Sequence, residues 1–186
     1  TGAGAFGILA QSIGGGGGIG GDKDSSFAGA TGYDSGNSGI VSVTQSGSLT
    51  AGGSGSIGIF AQSDAPFTPN NININVDGSV SGGSGDQGTG VQFDNGSANT
   101  LTVGSEGSIS ADSGTAVRFT SASGWPATLA ITNNGSINGN VDNADGGTVT
   151  GNALVAAAAP AAQAITLDNR GTVAGAAELD ADVRNR

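Results

Sequence analysis

The feature that most constrains this chain is a five-residue phrase that recurs between Gly47 and Gly175. Each copy begins with glycine and a hydroxyl residue, has an apolar third residue and ends with a small residue. The copies are 47–51, 78–82, 107–111, 135–139 and 171–175, and their first glycines are 31, 29, 28 and 36 residues apart. Such a period is typical of stacked structural repeats, each too small to bury an apolar face alone. The sequence therefore predicts an architecture more strongly than an activity.

An alternating run precedes every copy of the phrase. Apolar residues stand six and four positions before each glycine and two positions after it, and this period of two places them on one face of a strand. We therefore expect an inward ladder and a set of turn glycines. One column of the ladder consists of Val43, Ile74, Val103, Ile131 and Leu167, and the other of Leu49, Val80, Ile109, Ile137 and Val173. The turn glycines are Gly47, Gly78, Gly107, Gly135 and Gly171.

A second alternating stretch follows in several units, and glycine clusters such as 51–55 and 81–85 separate the stretches. Short strands joined by tight turns make one coil, and stacked coils pair their strands in parallel about 4.8 Å apart. A flexible linker is also rich in glycine, and a β-sandwich also has short alternating strands, but neither requires apolar residues to recur in register. The prediction is an all-β protein, a right-handed parallel β-helix with coils of 28–31 residues and glycine-rich turns.

The sequence divides into three parts of one elongated domain. Residues 1–13 form a first coil segment, 14–39 a glycine-rich excursion, and 40–186 the solenoid coils, with an alanine-rich insertion at 153–164. The phrase is also present at 147–151, which indicates an additional compact coil. Because the chain has neither an initiator methionine nor an amino-terminal signal, we expect a piece of a longer precursor.

Composition excludes several classes of function. The chain has no cysteine and no histidine, and its five Lys and Arg against fifteen Asp and Glu give a net charge of −10. Disulfides and thiolate metal sites are therefore absent, and nucleic acid is an unsuitable partner because neutralising phosphates requires clusters of Lys and Arg. No run approaches the roughly 20 apolar residues of a membrane-spanning helix, so we expect no membrane span in this segment.

The glycine run 14–21 is the first candidate for a ligand site. It lacks the Gly-Lys-Ser/Thr ending of a phosphate-binding loop, and it matches only the opening of a calcium-binding nonapeptide. Asp22, Asp24 and Asp34 offer oxygen ligands for a fortuitous Ca²⁺ ion. We expect no cofactor and no dedicated metal site.

Catalysis has equally little support, because acid–base chemistry requires paired acids or an acid with a base. The repeat alignment stacks Gln92 over Arg118, aligns Asp94 with Thr120 and brings Asp142 near Arg118. An isolated Arg–Asp pair on a solvated face is usually a surface ion pair worth about 0–1 kcal/mol. No serine has a visible base partner. We therefore expect no catalytic residue in this segment.

The stretch Gly7–Ile13, followed by five glycines, resembles a recurrent phrase in the passenger regions of bacterial autotransporters. The turn Asn134–Ile137 is similar to a coil motif of the same family. The resemblance implies a parallel β-helix that is exported across the outer membrane and displayed on the bacterial cell surface.

These observations favour a non-enzymatic structural or adhesive segment that promotes self-association, fibre formation or cell and matrix adhesion. Its expected partners are further copies of the chain or neighbouring coils of the same precursor, and a cell-surface glycan or the matrix is a further candidate. Trp125 is either a sugar-stacking ring or a loop ring folded over the flank of the solenoid. Two alternatives stay open: an inert spacer stalk that presents another domain, and a β-helix that binds or cleaves polysaccharide.

Overall fold

The computed structural model describes residues 2–15, 36–65, 69–121 and 127–143, and beyond these the backbone of strands at 148–152, 167–169, 172–174 and 183–185. Fifteen strands and no helix lie within these ranges. The strands are β1 (Phe6–Ile13), β2 (Val41–Gln45), β3 (Ser48–Thr50), β4 (Ile57–Asp64), β5 (Ile72–Val76), β6 (Ser79–Gly82), β7 (Thr89–Asn95), β8 (Ala98–Val103), β9 (Ser108–Thr120), β10 (Thr128–Asn133), β11 (Ser136–Asn143), β12 (Thr148–Asn152), β13 (Leu167–Asn169), β14 (Thr172–Ala174) and β15 (Val183–Asn185).

The strands form two parallel sheets that face each other across one core. The six-stranded sheet runs β2-β5-β8-β10-β12-β14, and the nine-stranded sheet runs β1-β4-β7-β9-β11-β13-β15, with β3 and β6 pairing beside this column. The chain alternates between the sheets, so each coil adds a strand to the six-stranded sheet and then one or two to the nine-stranded sheet. This is a β-solenoid, and the predicted fold class is confirmed.

The period of two in the sequence becomes the inside and outside of each strand. In β2, Val41, Val43 and Gln45 are buried, whereas Ser42 and Thr44 are exposed. β5 has the same order, with its isoleucines and Val76 buried and its two asparagines half-buried. Strands with this pattern cannot bury their apolar face until another coil stacks on them, which is why the repeat and the fold depend on each other.

The core is a set of apolar columns that run along the stack. Ile59, Val91 and Val117 are register neighbours on successive coils, and all three are fully buried. Phe93 and Phe119 are neighbours in the next column and are also fully buried. Burying one such side chain contributes about 1.5–3 kcal/mol, so these columns are the main source of stability in a chain without disulfides.

The first glycines of the phrase form a column of their own at a corner of the solenoid. The carbonyls of Gly47, Gly78 and Gly107 accept hydrogen bonds of 2.7, 2.9 and 3.0 Å from the amides of Ser79, Ser108 and Ser136 on the following coils. A Cβ on Gly78 would meet the backbone of Gly47. Glycine is therefore required at Gly78 by the close approach of two main chains, whereas Gly47 has a φ of 110°, which favours glycine by conformation.

The predicted register of the third coil was wrong by two residues. Counting back from the glycines had placed Val103 between Ile74 and Ile131, but Leu101 is the residue that pairs with both. Val103 instead pairs with Val76. The reason is a longer turn, 104–106, closed by a 2.8 Å hydrogen bond between the amide of Gly107 and the carbonyl of Gly104.

The alignment of the last phrase was also wrong. Leu167 pairs with Val141 rather than stacking on Ile131, and Val173 pairs with Val149 in the six-stranded sheet rather than stacking on Ile137. The phrase at 147–151 is responsible, because it supplies β12 and so adds a coil between the two segments that had been aligned.

The coil that runs from β10 to β12 is compact. Leu129 and Val149 are register partners only 20 residues apart, shorter than the predicted coil length of 28–31. The side chains after residue 143 and the predicted insertion at 153–164 lie outside the described part of the chain.

Candidate functional site

The predicted ladder residues on the first four coils face the core. Ile74, Val80, Val103, Ile109, Ile131 and Ile137 are at most 2 % exposed, Val43 is 8 % exposed and Leu49 is partly buried. Leu167 and Val173 lie in strands of which only the backbone is described. The buried ladder residues of the first four coils do not face solvent.

The outer face of the nine-stranded sheet carries a row of polar side chains linked from coil to coil. Gln11 donates to Gln62 at 2.7 Å, and Gln62 donates to Asp94 at 2.8 Å. Thr120 donates to the other carboxylate oxygen of Asp94 at 3.0 Å. The sequence alignment had placed Asp94 beside Thr120, and the two are register neighbours. These contacts link successive coils through their side chains.

Arg118 lies on the same face and joins three coils. Its Nε donates to Oδ2 of Asp142 at 3.2 Å on the coil below, and Nη2 donates to the carbonyl of Asp86 at 2.7 Å in the turn above. Nη1 donates to Oε1 of Gln87 at 3.3 Å. Gln92 is the register neighbour of Arg118, as the alignment had placed it. Every donor nitrogen of the guanidinium therefore has a protein partner, and its geometry is that of a structural tie.

The outer face of the six-stranded sheet is different because none of its six strands contains an ionisable residue. Within the first four strands of this sheet, Ser, Thr and Asn occupy seven of the eight outward positions in two rows. One row is Ser42, Asn73, Thr100 and Ala130, and the other is Thr44, Asn75, Thr102 and Thr132. By contrast, the strands of the nine-stranded sheet include five charged residues on the first four coils, namely Asp64, Asp94, Asp112, Arg118 and Asp142.

The two rows form a regular grid of hydrogen-bonding groups. Neighbouring strands are about 4.8 Å apart, and alternate residues along one strand are about 6.7 Å apart. Ser42, Thr44, Thr100 and Thr132 are exposed. Thr100 donates to Oδ1 of Asn73 at 2.9 Å, and Asn75 donates to Oδ2 of Asp77, just after β5, at 2.8 Å, so part of the grid is tied together. We call this surface the hydroxyl face.

The outward side chains of the hydroxyl face are neutral. Its hydroxyls have no base beside them within these strands, and an unactivated hydroxyl is a weak nucleophile. Over the described ranges, no three His, Cys, Asp or Glu side chains come together as ligands for a metal ion. The same part of the chain contains no helix able to cross a bilayer.

Several candidates from the sequence fall outside the described residues. They are Asp22, Asp24 and Asp34, most of the glycine run 14–21, and Trp125. The structure therefore brings together Arg118 with Asp142 and Asp94 with Thr120, and it leaves the calcium and sugar-stacking hypotheses untested.

Two features were missed by reasoning from the sequence. The first is the bond from Gln62 to Asp94. The sequence Ala10-Gln11-Ser12 recurs as Ala61-Gln62-Ser63, and aligning the following coil with these two segments could have indicated the bond. The second is the separation of charge between the two sheets, which is visible once the alternating runs are assigned to one sheet.

Comparisons of this chain with models of protein families, with curated proteins and with solved structures found no match.

Proposed function

We propose that this chain is a non-enzymatic structural and adhesive segment, displayed on the bacterial cell surface, that associates with copies of itself through the hydroxyl face. The observation that carries the proposal is the absence of ionisable residues from the strands that form that face, in a chain with a net charge of −10. The surface location rests on the resemblance of Gly7–Ile13 to autotransporter passenger regions.

Charge placement favours contact through this face over contact through the other. Two copies with the same net charge repel each other, and burying an ion at an interface has a desolvation cost that a neutral hydroxyl or amide does not have. Asp94 and Asp142 impose that cost on the nine-stranded sheet. The six-stranded sheet avoids it.

The strength of such a contact would come from the number of hydrogen bonds across it. One hydrogen bond contributes about 0.5–1.5 kcal/mol net, so a few grid positions give weak association. Hydrogen bonds at many grid positions along a stack of coils together give adhesion, although each single bond is reversible. Weak repeated contacts of this kind suit contact between cells or with a matrix.

Sedimentation of the purified chain over a range of concentrations and salt is the direct test. We expect association to strengthen as salt rises, because salt screens the repulsion between acidic copies and leaves the neutral contacts in place. The variant Thr44→Glu/Thr132→Glu adds two charges to the hydroxyl face and should remain monomeric. Ser84→Glu/Ser105→Glu adds the same charge at exposed turn positions and should still associate.

An inert spacer stalk is the competing function. A stalk predicts a monomer at every concentration and identical sedimentation of the two double variants. That result would reject self-association, and it would leave the solenoid as a support for another domain.

A further inference from the structure

The hydroxyl face is part of a larger lattice of register positions. The pairings of β2, β5, β8 and β10 run without a bulge, so the residues of each row lie directly above one another. Two positions earlier on each level, a third row consists of Ile40, Asn71, Ala98 and Thr128. By backbone register, β12 extends the three rows with Thr148, Thr150 and Asn152. The lattice therefore repeats at about 4.8 Å along the stack and about 6.7 Å along the strands.

The three rows combine neutral polar groups with small apolar ones. Ser, Thr, Asn or Ala fills every register position of the rows at the levels of β5, β8, β10 and β12. At the level of β2, Ile40 is 60 % exposed, and it is the one large apolar side chain found exposed in the described part of the chain. Each threonine adds a methyl group beside its hydroxyl. Such a surface can order water without the strong hydration shell that a charge imposes.

Several side chains of the lattice are already held in place. Thr100 is tied to Asn73 and Asn75 to Asp77, and Ser97 donates to Oδ1 of Asn71 at 2.7 Å. Threonine side chains are also stiff because they branch at Cβ. A surface that is ordered in advance loses little side-chain entropy when it meets a rigid partner.

The partner that matches a rigid, neutral and two-dimensionally periodic surface is a crystal. In hexagonal ice the lattice repeat along the a axis is only a few tenths of an ångström shorter than the strand spacing, and the repeat along the c axis is slightly longer than the spacing of alternate residues. These two axes are perpendicular, as are the strands and the direction of stacking, and both lie in the prism planes of ice. We propose that the hydroxyl face binds ice through its prism planes. Ice binding goes beyond self-association, because a single copy of the chain suffices.

The first experiment follows single ice crystals in a dilute solution of the unaltered chain, held just below the melting point. A prism plane that is covered by protein stops growing, and the crystal becomes a faceted hexagon, whereas uncovered ice grows as a rounded disc. We expect faceted crystals and slower recrystallisation of fine-grained ice. Rounded crystals at the highest soluble concentration would overturn the proposal.

A bulky side chain on the lattice tests which surface is responsible. Thr100 is exposed in the middle of its row, and tyrosine is favoured in strands, so Thr100→Tyr keeps the strand but holds ice away from its neighbours. We expect this variant to require at least about tenfold more protein for the same slowing of recrystallisation. Ser84→Tyr adds the same ring at an exposed turn between β6 and β7 and should match the unaltered chain. Thr132→Tyr, also exposed, replaces Thr100→Tyr if that variant does not fold. Equal activity of the face and turn variants would refute binding through the hydroxyl face.

The second experiment identifies the ice plane. The chain contains no cysteine, so Ser84→Cys gives one thiol for a fluorescent label away from the hydroxyl face. A single ice crystal grown in the labelled chain should fluoresce on its prism planes. Fluorescence on the basal planes alone, or exclusion of the label from the ice, would contradict the lattice match. Sedimentation of the same samples separates the two uses of the face: faceting by a monomer rejects self-association alone, and association without faceting rejects ice binding alone.

Discussion

Gln62 donates a 2.8 Å hydrogen bond from Nε2 to Oδ2 of Asp94, its neighbour on the next coil. The other end of the Gln62 amide accepts a bond of 2.7 Å from Gln11, and Thr120 donates to Asp94 from below. Because a carboxylate only accepts hydrogen bonds, the row has a direction and converges on Asp94. It holds four successive coils together through side chains alone.

Gln62→Glu tests this row. The new carboxylate cannot donate to Asp94 and would face it at hydrogen-bonding distance, at a position that is 2 % exposed. We expect a loss of about 1–3 kcal/mol in the free energy of unfolding, measured by urea denaturation. Thr44→Glu adds the same charge on an exposed position and should change stability by less than about 0.5 kcal/mol. Equal losses in the two variants would contradict a specific role for the row.

Gly78→Ala tests the glycine column at the corner. Its methyl group would meet the backbone of Gly47, which cannot move aside as a flexible side chain can. We expect destabilisation of about 1–3 kcal/mol from overpacking, seen as a lower thermal midpoint. At Gly52 a Cβ would have no neighbour within 4 Å, so Gly52→Ala should be neutral or should stabilise by up to about 1 kcal/mol. A harmless Gly78→Ala would show that the coils can separate at this corner.

Arg118→Lys tests whether the guanidinium ties three coils or merely forms a surface ion pair. Lysine keeps the charge but cannot place donors at once on Asp142, Gln87 and the carbonyl of Asp86. We expect a loss of about 1 kcal/mol in the free energy of unfolding. Asp142→Asn removes the ion pair alone, and because the Asp142 side chain is 26 % exposed it should cost less than about 1 kcal/mol. If Asp142→Asn costs more than Arg118→Lys, the ion pair is the dominant contact.

The fold could be predicted from the sequence because a recurring phrase and an alternating pattern leave few ways to bury the apolar residues. The register could be predicted only where turns have equal length. Two extra residues in the turn 104–106 displaced Val103, and the additional coil begun by β12 displaced Leu167 and Val173, from their predicted neighbours. Turn length affects register without changing the period-two pattern, so the pattern alone gives no warning.

Some features of the outer surface could likewise be predicted from the sequence, and others could not. The Ser, Thr and Asn residues of the hydroxyl face stand between apolar residues in each run, so their outward direction could be read from the sequence. The bond from Gln62 to Asp94 depends on aligning β4 with β7 across glycine-rich turns that hold no regular pattern.

The register of the third coil gives the sharpest test of the structure against the sequence pattern. The structure pairs Asn73 with Thr100, whereas alignment by the phrase glycines pairs Asn73 with Thr102. Register partners on adjacent strands are about 4.8 Å apart, and a two-residue offset increases the separation to about 8 Å, beyond the reach of a disulfide. Because the chain has no native cysteine, we expect Asn73→Cys/Thr100→Cys to form an intramolecular disulfide under mild oxidation and Asn73→Cys/Thr102→Cys to keep both thiols free, as measured by thiol titration. The opposite result would restore the register predicted from the phrase and would place Val103, not Leu101, beside Ile74.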